Sequence, residues 1–384
     1  MGVSAVFVAP YRFLPPRNGG QQAAWGFARW LAQYADLAVA STPGNEPPDN
    51  LPFALEPLLE SSPLRYLSPR AGWRLWRLLR RRRARWLIVQ QPFFALMARC
   101  VAWLQGAKLV VYSHNLEYSR FRSMGKWWWP LVYLAERLAY RQADYVLFIS
   151  PDELAPGIRT FGLAPQRCRV LPYGVDQQAS PPRQTAGAAI RHRHGIDPQA
   201  PVWLLFGPLG YAPNLEALNR VLTEVAPRRA EMGFPGAAIL VCGGGLPERY
   251  QGLEAYRSQG VQYLGFVPDI DDYLLGADLL LNPVESGAGV KTKVIEAIAR
   301  GLPVVSTHNG ALGLDQAACG PMLRVAPDGD YAAFRLHLAG LQRHRPAQTP
   351  AAFYQRYYWP NCLQPLLEIM NLAPAPGQDK TNGI

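Results

Sequence analysis

The sequence predicts an α/β protein built from two doubly wound parallel-sheet domains. Three observations carry that prediction. Short apolar, β-branched runs alternate with segments of helical spacing, the pattern of a parallel sheet covered on both faces. The alternation breaks once, across polar residues 177–201 with Pro181-Pro182 and Gly187, and then restarts. A chain of 384 residues is long enough for two domains, each with its own core.

The elements follow in order. Residues 3–9 read as an apolar strand, and Pro15-Pro16-Arg17-Asn18-Gly19-Gly20 as a loop. Trp25, Phe27, Trp30 and Leu31 give residues 21–34 helical spacing. A second strand is expected at 37–40 and an arginine-rich helix at 71–85. Further strands are expected at 86–89, 108–112 and 145–149, with helices between them. This first domain is set at 1–178 and the linker at 179–200. The second domain, 201–350, repeats the alternation with strands expected at 202–206, 238–242, 261–264, 279–281 and 304–306. Residues 373–384, rich in Pro, Gly and polar side chains, read as a disordered tail.

Composition excludes several classes. The five cysteines are scattered, without a CxxC pair or a histidine at metal spacing, so free thiols are expected rather than a disulfide framework or zinc site. No basic stretch precedes an apolar core at the start, so no signal peptide is expected. Arg99, Gln105 and Lys108 interrupt the longest apolar run, which argues against a spanning helix.

The formal charge is +11, and it is local. Between Ser61 and Leu116 there is no acidic residue but eleven cations, while the rest of the chain carries 28 basic and 28 acidic residues. A patch of this kind requires a local partner or a solvated face. Arg74, Arg77, Arg80 and Arg81 lie on the arginine-rich helix, and Trp73, Trp76 and Leu79 are spaced for another of its faces. One reading is a sheet-packing helix with a solvated basic side. The other is contact with an anionic membrane, with Trp127 and Trp128 as a second aromatic cluster. No nucleic-acid-binding motif is present, so nucleic acid is not expected as a partner.

The densest chemistry lies in Ser286-Gly287-Ala288-Gly289-Val290-Lys291-Thr292-Lys293, which runs into a short helix carrying Glu296. Gly301-Leu302-Pro303 stops that helix, and a β-branched strand follows. Backbone N–H groups, lysine charge and a helix N-terminus together suit a diphosphate. A carboxylate one turn further suits a ribose diol. The neighbours of Glu296 are apolar, and a carboxylate in such surroundings requires hydrogen-bond partners. Lysine at a helix start opposes the dipole, so Lys291 and Lys293 are expected to answer an anion.

Other strand ends carry weaker signals. Gly19 and Gly20, between a first strand and a first helix, suit either a tight turn or an anion loop. Gly207 and Asn214 follow the second domain's first strand in the same way, with Asn214 also suited to cap its helix. Gly243, in Cys242-Gly-Gly-Gly245, suits close ligand approach or a flexible turn. His114, just past a strand end, is placed for a ligand crevice, where a neutral imidazole can bond a sugar hydroxyl or polarise a reacting group.

Taken in order, several of these segments resemble the GT-B glycosyltransferases of the family 4 type, the glycosyl transferases group 1. They are the Gly19-Gly20 loop, His114-Asn-Leu-Glu-Tyr118, Leu171-Pro-Tyr-Gly-Val-Asp176, Phe206 to Asn214, Leu264-Gly-Phe-Val-Pro268 and Ser286 to Thr307. The resemblance implies two Rossmann-like domains facing across a cleft, with a nucleotide-sugar donor on the second and the acceptor on the first. It implies a helix over 351–372 that crosses back to the first domain. It implies sugar transfer with retention, without a metal or other cofactor, with Glu296 on the ribose, His114 near the donor sugar, and Gly19 and Gly20 in a loop over the donor. The basic first domain then suggests a lipid-linked or saccharide acceptor and a cytoplasmic enzyme, peripheral on the inner membrane face. A soluble acceptor and a non-catalytic nucleotide-sugar-binding subunit are the alternatives. Two departures stand out. Ala288 occupies the place of the first glutamate of the family's E-x7-E pattern, with Glu285 three residues earlier. Pro208 and Pro213 lie near where the family places an arginine and a lysine, so diphosphate neutralisation falls to Lys291 and Lys293.

Overall fold

The computed structural model describes residues 3–66 and 68–372. The tail expected over 373–384 lies outside them. The chain forms two compact units. One is built from residues up to Asp176, from Ala288–Val290 and from Tyr357 onward. The other comprises Gln177–Gly287 and Lys291–Arg356.

The first unit holds a seven-stranded parallel sheet. Its strands are β1 (Ser4–Val8), β2 (Asp36–Ser41), β3 (Ala54–Pro57), β4 (Trp86–Gln90), β5 (Lys108–Ser113), β6 (Tyr145–Phe148) and β7 (Cys168–Val170). They lie in the order β3-β2-β1-β4-β5-β6-β7. The second unit holds β8 (Val202–Phe206), β9 (Ala238–Cys242), β10 (Val261–Gly265), β11 (Leu279–Asn282), β12 (Val304–Thr307) and β13 (Leu323–Ala326), in the order β10-β9-β8-β11-β12-β13. Numbered from its own first strand, the second sheet repeats the order of the first. Both are doubly wound, with the reversal beside the first strand.

The apolar runs form strands because helices cover both faces of each sheet. In the first unit, alternate residues feed opposite layers. Val6, Val8, Leu87 and Val89 pack towards helices Pro69–Arg82, Ala95–Gln105 and Trp129–Gln142. Ala5, Phe7, Ile88 and Val110 pack towards helices Gly19–Leu31 and Trp359–Met370. The last helix is locked by Trp359. A Cβ on Gly26 or on Gly174 would come within 2.4 Å of its indole. Val175 N–H donates to Tyr357 O (2.7 Å), and Trp359 N–H donates to Val175 O (3.0 Å).

The differences from expectation have physical reasons. The strands not foreseen, β3, β7 and β13, are short edge strands interrupted by charge or proline (Glu56 and Pro57, Arg169, Arg324). Edge strands bury less surface and carry a weaker apolar signal. Residues 179–200 are not a bare linker, because helix Gln184–Arg193 forms there and belongs to the second unit. The arginine-rich helix ends at Arg82, with Arg83 left-handed (φ 49°) at its C-cap. Trp73 and Leu79 do not share a face: Trp73 is exposed, whereas Leu79 is buried with Leu75 and Leu78. Six residues at about 100° each turn Leu79 well away from Trp73.

Candidate functional site

In the second unit, the predicted glycine segments meet at the carboxyl ends of β8, β9 and β11. Gly207 follows β8 with φ 135°, and Gly243 follows β9 with φ 152°. A Cβ on Gly243 would stand 1.9 Å from the Gly207 carbonyl oxygen. Gly207 N–H donates to Cys242 O (3.0 Å), Leu209 N–H to Gly244 O (2.8 Å) and Gly243 N–H to Gly265 O (2.7 Å). Three loops are thus joined backbone to backbone. Glycine is required at 243 by the neighbouring loop, so the flexible-turn reading is replaced by a packed one.

Asn214 and Lys293 tie the loop after β8 to the helix that carries Glu296. The cap position of helix Ala212–Arg220 belongs to Tyr211, not to Asn214, which sits within the first turn. The Asn214 amide donates to Pro208 O (3.0 Å), and its Oδ1 accepts from Lys293 Nζ (3.1 Å). Lys293 Nζ also reaches Phe206 O at 3.5 Å. Burial, aided by the Lys291 charge, brings the Lys293 ammonium down to about 7. Lys291 folds back onto its own loop, donating to Gly287 O (3.1 Å). Gly287 and Gly289 have φ 84° and 80°. A Cβ on Gly287 would press on Pro213 and Tyr211 at 3.0 and 3.1 Å. Ala288, Val290 and Thr292 are half-buried, and Thr292 opens helix Thr292–Ala299. Glu296, half-buried between buried Ile295 and Ala297, lies three residues after Lys293 and shares its side of the helix. The arrangement offers lysine charge and backbone N–H groups with a carboxylate one turn beyond.

In the first unit, His114 follows β5 and is 8% exposed. Its burial holds the imidazole down at about 4, so it is neutral at physiological pH. Gln90 Nε2 lies 3.4 Å from His114 Nδ1 and 3.2 Å from Nε2. An amide nitrogen so nearly equidistant from both cannot lie in the ring plane without striking the carbon between them. It therefore stands over the ring face, a weak N–H···π contact that leaves the in-plane nitrogens to other partners. The Tyr11 hydroxyl donates to Gly20 O (3.1 Å). Gly19 and Gly20 are not a free loop, since they open helix Gly19–Leu31 behind the cap residue Asn18. A Cβ on Gly20 would meet only ordinary contacts at 3.5 Å and beyond, so protein packing does not demand glycine there.

Motif spacing singles out neither Gln90 nor Glu136. The signal for Gln90 was a polar pair, Gln90-Gln91, ending an otherwise apolar strand. Glu136 gave no signal from its helix, yet it is buried and supports the turn after His114. Its carboxylate accepts the Glu117 and Tyr118 N–H groups (2.8 Å each) and the Tyr140 hydroxyl (3.1 Å). Burial pushes its carboxyl up to about 7 against these bonds.

The family model described as Glycosyltransferase Family 4 matches residues 17–179, and the one described as Glycosyl transferases group 1 matches residues 200–343. The chain is a GT-B glycosyltransferase of the family 4 type. Solved structures of similar fold span nearly all of it. Anabaena HepE in complex with UDP is 14% identical over 96% of this chain and 100% of that one, with a TM-score of 0.71. Sucrose-phosphate synthase from Thermosynechococcus elongatus is 15% identical over 96% and 98%, with a TM-score of 0.70. WaaG, a glycosyltransferase involved in lipopolysaccharide biosynthesis, is 17% identical over 97% and 100%, with a TM-score of 0.66.

In this glycosyltransferase, Glu285, three residues before Ala288, is bonded within the second unit. Its Oε1 accepts Gly329 N–H (2.6 Å), and its Oε2 pairs with Arg220 (3.3 Å). It braces the loop. Among the described residues, no group of three or more His, Cys, Asp or Glu side chains is placed to hold a metal ion.

The basic region of the glycosyltransferase lies on one helical layer of the first unit. Helices Pro69–Arg82, Ala95–Gln105 and Trp129–Gln142 pack side by side there. Trp73 (55%) and Trp127 (83%) are exposed, whereas Trp76 and Trp128 are half-buried. Arg74, Arg77, Arg80 and Arg81 are exposed; Arg77 stacks on Trp73 and Arg80 on Trp76, at 4.7 and 5.4 Å. Arg81 pairs with Glu56 and Arg82 with Asp36, so part of the basic charge is answered within the unit. Trp103, Leu104, Leu131, Leu134 and Leu138, not foreseen from the sequence, are also exposed on the same layer. No helix among the described residues is long and apolar enough to cross a membrane.

Proposed function

We propose that the protein is a retaining, metal-independent glycosyltransferase. It would move a sugar from a nucleotide-sugar donor to a lipid-linked or polysaccharide acceptor at the inner face of a membrane, as a cytoplasmic, peripheral enzyme. The observation that carries the donor half is Lys293, held over the joined glycine loops and brought down to about 7. A lysine that surrenders its proton so easily when empty regains full charge beside a diphosphate. It then opposes the charge that grows on the leaving group. Lys291 and the N–H groups of the loop add to that field, and Glu296 is assigned to the ribose hydroxyls. HepE has been solved with UDP, with UDP and glucose, and with UDP-glucose, which supports a nucleotide-sugar donor here. In the first unit, neutral His114 is assigned a sugar hydroxyl.

Melting curves with UDP, GDP, ADP, CDP and dTDP, with and without magnesium, test the donor half. One selective, magnesium-independent rise that vanishes in Glu296→Ala is expected; no rise from any nucleotide rejects it. The anomeric configuration of the product, read by NMR, tests retention.

The acceptor half rests on the exposed layer of tryptophan, leucine and arginine. Sedimentation with vesicles should require anionic lipid and be lost in Trp103→Ser/Trp127→Ser; binding that survives both changes excludes this layer. Ala288 favours a second reading, a nucleotide-sugar-binding subunit without turnover. Measurable donor hydrolysis by the isolated chain rules that out.

A further inference from the structure

A basic cavity of about 820 Å³ lies in the second unit, away from the glycine loops. It opens between helix Gln184–Arg193 and the turns that lead into β11 and β12. Asp278 in its wall precedes β11 and accepts the N–H of Val202, the first residue of β8 (2.7 Å). The cavity therefore sits at the amino ends of the strands, on the opposite edge of the sheet from Gly207, Gly243 and Gly287.

Its charge is unbalanced. Arg183, Arg191 and Arg345 line it, and among the described residues Asp278 is the one carboxylate in the lining. Asp278 is shared by Arg191 (2.5 Å) and Arg345 (2.9 Å). Arg183 donates to the neutral carbonyls of Leu274 (2.8 Å), Arg300 (2.7 Å) and Ala277, and its Nε is buried without a hydrogen-bond partner. Three guanidiniums against one carboxylate leave two positive charges in a partly enclosed space. Burial, with Arg345 nearby, brings Arg183 down to about 9. Ile196, Leu275 and Pro346 provide apolar wall beside the charge.

We propose that this cavity binds an organic phosphate, its dianion answering the two unmatched guanidinium charges and its body resting on the apolar wall. Guanidinium recognises phosphate through paired N–H donors, which suits a site built from arginine. The cavity's size accommodates a phosphorylated small molecule rather than a bare ion. The inference goes beyond the transferase reading and does not depend on it.

The test is thermal melting with glycerol 3-phosphate, glucose 6-phosphate and AMP, against glucose and sulfate as controls. At saturation, at least one phosphomonoester should raise the melting temperature by about 5 °C, while glucose and sulfate do not. The rise should vanish in Arg345→Gln. It should also vanish in Ala347→Glu, which adds a carboxylate to the exposed rim without removing a native bond. It should persist in Lys293→Ala, where nucleotide diphosphate binding is lost. No rise from any of the three esters overturns the proposal. So does an equal rise with sulfate, or a rise that survives Ala347→Glu. A rise abolished by Lys293→Ala alone would assign the ester to the glycine loops instead. Failure of the donor reading would appear separately, in the nucleotide melts.

Discussion

Replacing Lys293 with methionine keeps the length of the side chain and removes its charge. Lys293 is held at about 7 against its ordinary 10.5. That difference corresponds to about 5 kcal/mol between charged and neutral forms. Partial solvent access leaves roughly 2–3 kcal/mol of it as a cost of the charged form. The sign follows from a lowered lysine. Below pH 7 both folded and unfolded chains carry the proton, and the folded state bears the cost. Between about 7 and 10.5 only the unfolded chain holds the proton, so stability rises with pH. Lys293→Met should remove that rise. At pH 6 it should be more stable by about 1–2 kcal/mol, once the lost bond to Asn214 is subtracted. Binding shows the converse. If a diphosphate restores the charge, binding at pH 8 takes up about 0.9 proton, and affinity falls about tenfold per pH unit above 7. Titration calorimetry of nucleoside diphosphate in buffers of different ionisation enthalpy reads the proton number directly. No uptake at pH 8, or the same uptake in Lys293→Met, would refute the assignment of the diphosphate to this lysine.

Three further outcomes follow from the geometry. His114, held at about 4 by burial, stays neutral as the folded protein is acidified while the unfolded chain charges below 6.5, so its own contribution falls by about 3 kcal/mol from pH 6.5 towards 4. Glu136, held up at about 7, contributes in the opposite sense between about 7 and 4.5, so the test is the difference between urea melts of the native chain and His114→Gln, which should move against the native chain by that amount over the range. Gly243→Ala drives a methyl into the Gly207 carbonyl; it should cost about 2–4 kcal/mol and abolish nucleotide stabilisation, whereas unchanged melts would mean the loops part easily. Trp359→Ala empties the space between Gly26 and Gly174 and should cost about 3–5 kcal/mol in denaturant unfolding, with no such loss for the exposed Trp127→Ala.

The fold was largely legible because its central strands are buried on both faces and must be apolar throughout. Val202–Phe206 and Ala238–Cys242 coincide with the strands expected from their residues alone. The edges β3, β7 and β13 were not legible, since a strand paired on one side tolerates Glu56, Arg169 and Arg324. The helix at 184–193 was hidden for a related reason. Its polar composition resembles a linker, and it is held by Arg191 to Asp278 and by the bonds of Arg183 to carbonyls about a hundred residues away.

By itself the sequence determined the chain order of strand, loop and helix, the glycines and lysines of the candidate donor site, and the location of the basic charge. Those are properties of neighbouring residues, and local propensity and periodicity express them. Tertiary structure alone decided what each polar group is for. It gave Glu285 to Gly329 and Arg220, Asn214 to Lys293, Gln90 to the face of His114, and both Arg191 and Arg345 to one aspartate. Asn214 and Lys293 are 79 residues apart, and no local pattern encodes their meeting. The decisive quantity in each case is burial, which sets both the charge a side chain can hold and the partner it requires, and burial exists only once distant segments have packed.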